Sequence, residues 1–121
     1  MKLKSGELYL ATTAARKLAG EKLPFKAKYW LGRLIDRLEP EFKRIENERI
    51  ALLMKHGTPN EDGATVKLSA EQARAFSKEF DDEILGNEIE IEPVMLKLEM
   101  FGDGEIQADL TALQRFIEAP Q

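Results

Sequence analysis

The stretch Pro24-Phe25-Lys26-Ala27-Lys28-Tyr29-Trp30-Leu31-Gly32-Arg33-Leu34-Ile35-Asp36-Arg37-Leu38, continued through Glu39-Pro40-Glu41-Phe42 to His56, decides the fold. Ala27, Trp30, Leu31, Leu34, Ile35, Leu38, Phe42, Ile45, Leu52 and Leu53 recur at spacings of three and four, which predicts one long amphipathic helix. At 1.5 Å per residue it makes a rod of roughly 50 Å. Pro24 suits the first turn, where a missing N–H costs nothing. Gly57 is a stop, with Lys55 in the favourable last turn. Pro40 removes one ladder bond and clashes with the Asp36 carbonyl, so a kink or two abutting helices are expected there.

Upstream, Met1–Lys4 alternates apolar and basic residues and reads as a short strand. Ser5 is a candidate N-cap for a helix carrying Leu8, Ala11, Ala15 and Leu18 on one face, closed by Gly20. Downstream, Asn60-Glu61-Asp62-Gly63 is hairpin chemistry before a short strand over Thr65–Leu68. Ser69-Ala70-Glu71-Gln72 forms a capping box, followed by the stripe Ala73, Phe76, Phe80 and Ile84. Glu88-Ile89-Glu90-Ile91-Glu92 alternates as a strand that Pro93 confines to an edge or an end. Val94–Phe101 fits neither period, Gly102-Asp103-Gly104 is a turn, Ile106, Leu110, Leu113 and Ile117 mark a last short helix, and Ala119-Pro120-Gln121 frays. The expected fold is α+β and predominantly α: a long kinked central helix, three shorter helices and a small antiparallel sheet, in one domain over residues 1–121.

The absence of cysteine removes disulfides, thiolate nucleophiles and cysteine metal sites. No apolar run approaches the roughly 18 residues of a membrane span, and Glu7, Arg16 and Lys17 interrupt any signal-peptide core, so a cytoplasmic location is expected. His56 is the only histidine, and its place at a helix end reads as capping or solvent-facing rather than catalytic. Asp81-Asp82-Glu83 reads as a solvated charge run or one paired with basic residues. Neither Glu61-Asp62-Gly63 nor Asp103-Gly104-Glu105 matches a calcium loop, and no phosphate-cradling glycine motif occurs. No catalytic residue, cofactor or metal is therefore expected.

Charge divides the chain. Residues 1–57 hold 13 Lys and Arg against 7 Asp and Glu, whereas residues 58–121 hold 5 against 15. The halves either attract each other in the fold or between subunits, or present a charged face to a partner. Tyr29, Arg33 and Arg37 are the candidate partner-binding residues of the basic half; Glu83, Glu88 and Glu90 are those of the acidic half. Trp30 shares a face with Ala27, Leu34 and Leu38 and reads as core, while Tyr29 lies about 100° away with Arg33 and Asp36. Basic residues among aromatics can stack on single-stranded nucleic acid, but core plus ordinary surface is the preferred reading, and neither nucleic acid nor membrane is expected as a partner.

The order of several motifs resembles a family of small uncharacterised phage and prophage proteins, commonly encoded among late phage genes. The motifs are Met1–Leu8, Glu21-Lys22-Leu23-Pro24-Phe25-Lys26-Ala27, Leu38-Glu39-Pro40-Glu41-Phe42, Asn47-Glu48-Arg49, Leu52–Gly57, Asn60–Gly63, Ile89–Pro93 and Ala108–Leu113. The resemblance implies a phage origin and a non-enzymatic role in the host bacterial cytoplasm or with the virion. The resulting expectation is a protein-binding module, such as a virion or tail-assembly accessory, that forms homo-oligomers through its long helix. The alternative is a phage-encoded inhibitor of a host defence or nucleic-acid enzyme, acting through the acidic half by mimicking phosphate charge.

Overall fold

A computed structural model describes residues 1–102 and 106–118. The turn expected at Asp103-Gly104 and the frayed end expected at residues 119–121 lie outside the described residues. In chain order the elements are β1 (Lys2–Lys4), α1 (Ser5–Ala19), α2 (Phe25–His56), β2 (Thr58–Pro59), β3 (Val66–Lys67), α3 (Ala70–Glu79), a π-helical turn (Phe80–Leu85), β4 (Glu88–Glu90), β5 (Leu96–Lys97), two 3-10 turns (Leu98–Phe101 and Thr111–Phe116) and β6 (Ile117–Glu118). The fold is α+β and predominantly α, as the periodicity requires. The strands form three separate two-stranded pairs: β1–β4 and β2–β3 are antiparallel, and β5–β6 is parallel.

Helix α2 is a single element of 32 residues that continues through Pro40, so the sequence's alternative of two abutting helices is not what forms. Its 3.6-residue period buries Ala27, Leu31, Leu34, Leu38, Phe42, Ile45 and Leu52 on one face. Helix α1 runs antiparallel along the middle of this face, since Tyr9 bonds Glu46 and Arg16 bonds Glu39. With 15 residues against 32, α1 leaves both ends of α2 to other covers. Helix α2 also contacts β5 and the Leu98–Phe101 turn, and its last turn meets α3, where Lys55 and His56 reach Glu79. Leu8, Ala15, Leu31, Leu34 and Leu38 are sealed from solvent, and each buried leucine contributes roughly 1.5–3 kcal/mol of transfer free energy.

Local signals explain the element ends. Ser69 Oγ accepts the Gln72 N–H at 3.1 Å and Gln72 Oε1 accepts the Ser69 N–H at 2.8 Å, completing the expected capping box. Asp62 Oδ1 accepts the N–H groups of Ala64 and Thr65, and Gly63 takes a positive φ of 70° in the β2–β3 loop. A side chain at Gly57 would collide with Val66 Cγ1 and the Leu53 carbonyl, so only glycine lets the hairpin fold back on the end of α2.

Two expectations are corrected. Ser5 is the first residue of α1 rather than its N-cap; it is buried, and its N–H and hydroxyl both donate to the Asn87 carbonyl. The last segment is not an α-helix from Ile106. It becomes a 3-10 turn at Thr111 and enters β6 at Ile117. Asp109 accepts from the Thr111 N–H and hydroxyl and fixes the chain in a tight turn just where a helix would have to run.

Candidate partner-binding surface

Helix α2 begins without a side-chain cap. Pro24 supplies the carbonyl that accepts the Lys28 N–H, no acidic residue lies in the first turn, and Lys26 and Lys28 stand where the helix dipole disfavours positive charge. Phe25, Tyr29, Arg33 and Arg37 follow one another at intervals of four and form a ridge along one side of the rod.

The ridge is exposed. Phe25 keeps 84% of its surface open to solvent and Tyr29 keeps 50%. Their rings stack with centroids 6.5 Å apart, and Tyr29 meets Trp30 edge to face at 5.5 Å. The Arg33 guanidinium lies 5.2 Å from the Trp30 ring and 6.0 Å from Tyr29, within cation–π range. Trp30 is half-buried: it packs against the core, as its helical face requires, yet also forms the floor of this patch. Among the described residues no carboxylate pairs with Lys22, Lys26, Lys28 or Arg33. The nearby Glu21 carboxylate is taken up by the N–H groups of Gln107 and Ala108. Arg37 differs from its neighbours on the ridge, because it pairs with Glu92 at 3.2 Å and serves the fold.

The acidic candidates separate from one another. Antiparallel pairing sets Glu88 opposite Lys4 and Glu90 opposite Lys2, with Ile89 opposite the buried Leu3 on the other face. Glu90 also accepts from the Met1 nitrogen at 3.2 Å. The β4 carboxylates thus face lysines of the same chain. Glu83, with Asp81 and Asp82, is exposed on the π-helical turn and has no ion-pair partner among the described residues. The structure does not bring Tyr29 and Arg33 together with Glu83. The former lie in the first three turns of α2, whereas the turn carrying Glu83 packs near Ile45.

Two polar clusters lie elsewhere. The Tyr9 hydroxyl donates to Glu46 at 2.6 Å, and Arg49 grips the same carboxylate through two nitrogens at 3.0 Å each. These donors, Arg49 first, hold the Glu46 carboxyl below its ordinary value, and the Glu46 charge pushes the Tyr9 phenol up. Tyr9 also stacks on Phe42 at 5.0 Å, and Arg16 lies over the Phe42 ring at 4.2 Å, so the cluster bolts α1 to α2. His56 is mostly covered rather than solvent-facing: its Nε2 lies 3.1 Å from Glu79, which Lys55 also contacts at 2.7 Å. No group of three metal-ligating side chains converges among the described residues, and no helix there is long and apolar enough to cross a membrane.

Sequence reasoning missed Phe25, whose place beside Pro24 at a helix start gave no sign of its exposure. It also missed Ile50 and Met54, which lie four apart and are half-exposed on the last turns of α2. The i, i+4 relation of Phe25 to Tyr29 places the two on one side of the helix without fixing the exposure of Phe25. No family model, curated protein or solved structure compared with the chain matches it.

Proposed function

We propose that the chain is a non-enzymatic protein-binding module of phage or prophage origin, working in the host bacterial cytoplasm or on the virion as an assembly accessory. The phage part rests on the motif order described above. The binding part rests on the Phe25–Tyr29–Arg33 ridge, and the exposure of Phe25 carries it. An unshielded phenylalanine stacked on a tyrosine, ringed by lysines that pair with no carboxylate among the described residues, contributes little to a folded monomer and offers the aromatic and arginine anchors that dominate protein interfaces. Partner binding buries the rings and gives the cations carboxylates to meet.

The competing reading, inhibition of a host enzyme by the acidic half, has less support. It retains Asp81, Asp82 and Glu83, while Glu88 and Glu90 lie opposite Lys4 and Lys2. Affinity capture from a lysogenic host lysate separates the two, using the intact chain and a Phe25→Ser/Tyr29→Ser variant as baits. The proposal expects phage structural proteins retained by the first bait and lost by the second. Identical capture by both baits overturns it, and a nuclease or polymerase retained by both favours the inhibitor.

A further inference from the structure

We propose that the aromatic end of α2 docks head to tail into a depression on a second copy of this chain, the one between Ile45, Ile84 and Ile89. The inference rests on reading the ridge as a binding surface, and it names the occupant.

The depression is open and encloses about 420 Å³ between the middle of α2, the end of the π-helical turn and β4. Ile45, Ile84 and Ile89 give it an apolar floor, and Glu41 and Glu48 stand on its rim beside Arg44. Arg44 leans toward Glu41 at 3.7 Å, whereas Glu48 has no ion-pair partner among the described residues. The exposed run Asp81-Asp82-Glu83 immediately precedes Ile84. The site therefore combines an apolar hollow with excess negative charge. The other end of the molecule is its complement: a protruding Phe25 backed by Tyr29, with Lys22, Lys26, Lys28 and Arg33 around it.

A chain cannot fill its own depression. Phe25 and Ile45 belong to the same continuous helix, twenty residues and roughly 30 Å apart. A complement taken from this same sequence therefore comes from another copy. In a head-to-tail contact one knob enters one hollow without reciprocation, so the contact is heterologous and leaves a free knob and a free hollow at the ends of every open complex. Such contacts propagate into rings or filaments rather than stopping at a symmetric dimer. Seating Phe25 removes a large ring from water, and the flanking lysines supply a salt-sensitive share of the attraction.

The test is sedimentation velocity on the full chain, with two variants made at exposed positions: Phe25→Ser/Lys26→Ser removes the knob, and Glu48→Lys blocks the rim. Far-UV circular dichroism confirms that each folds. The wild type is expected to form species beyond the dimer that grow with concentration and recede when salt is raised from about 50 mM to about 500 mM. Each variant alone is expected to associate at least about tenfold more weakly. Mixed together they retain one intact knob and one intact hollow, so they should form a 1:1 complex and stop there. A wild type that stays monomeric at low salt, or a mixture that does not combine, overturns the inference. So does a dimer that survives the loss of Phe25, which would point to a symmetric contact such as the Ile50–Met54 face. If self-association fails while lysate capture still depends on Phe25 and Tyr29, the binding module stands with a different partner. If neither depends on them, both readings fall.

Discussion

Lys2-Leu3-Lys4 and Lys26-Ala27-Lys28 have the same pattern, two lysines around one buried apolar residue, and the fold treats them in opposite ways. In β1 the period is two, so both lysines lie on one face, opposite Glu90 and Glu88 of β4. In α2 the two lysines diverge by about 200° around the axis and meet no carboxylate among the described residues. Backbone pairing thus sets opposite charges across from each other at one site, and at the other no carboxylate among the described residues pairs with the lysines. The difference teaches that a basic half and an acidic half do not by themselves define a binding face; backbone pairing decides which charges remain available.

The largest expected effect comes from breaking the neutralised region at its apolar pivot. Leu3 is 2% exposed, so Leu3→Ala should cost about 2–5 kcal/mol in chemical denaturation. Phe25→Ala, which removes a larger side chain, should change stability by less than about 0.5 kcal/mol. Equal losses from the two would erase the contrast.

Charge reversal sharpens it. Lys2→Glu/Lys4→Glu places like charges opposite Glu90 and Glu88 and should cost roughly 0.5–2 kcal/mol by thermal melting. The matching change Lys26→Glu/Lys28→Glu should have the opposite sign. It puts acidic residues into the first turn of an uncapped helix and should stabilise by about 0.3–1 kcal/mol. A destabilising result there would mean that the lysines already have partners in the fold.

The smallest effect is in acid. Glu46 is satisfied from within the chain, and its carboxyl is held below the ordinary value of 4.5 by Arg49 and then Tyr9. The unfolded chain therefore takes up a proton first as pH falls. The contribution is fully present above the ordinary carboxylate range and is lost as pH drops through the lower folded value. Glu46→Gln should flatten the dependence of stability on pH below about 4.5 and leave the neutral-to-alkaline slope nearly unchanged apart from the Tyr9 limb. That limb has the reverse sign. The Tyr9 phenol is raised above 10.0, chiefly by Glu46, so its contribution is present below that pH and fades as pH rises through the folded value.

Much of this was legible in the amino-acid order. The period of α2, the capping box at Ser69–Gln72, the Asp62-Gly63 loop and the alternation of Glu88–Glu92 are local signals, and the folded chain obeys them, although the last of these pairs only over Glu88–Glu90. Non-local choices were not legible. The burial of Ser5 against Asn87 and the pairing of β1 with β4 depend on contacts more than eighty residues apart. The parallel contact of β5 with β6 depends on the same kind of pairing, and its short ambiguous segments carry no period of their own. Within the candidate surface, Tyr29 and Arg33 were readable as an outward face of α2. Arg37 was not separable from them until Glu92 was placed beside it. Phe25 sits at a helix start, where neither burial nor exposure follows from periodicity.

The central claim is that the start of α2 is built for a partner rather than for the fold. Its most direct test sets the thermal melt of Phe25→Ser beside its sedimentation at low salt. An unchanged melting temperature with loss of the association seen in wild type is the predicted result. A melt lowered as far as that of Leu3→Ala, with association intact, would place Phe25 among the residues that hold the domain together and contradict the account.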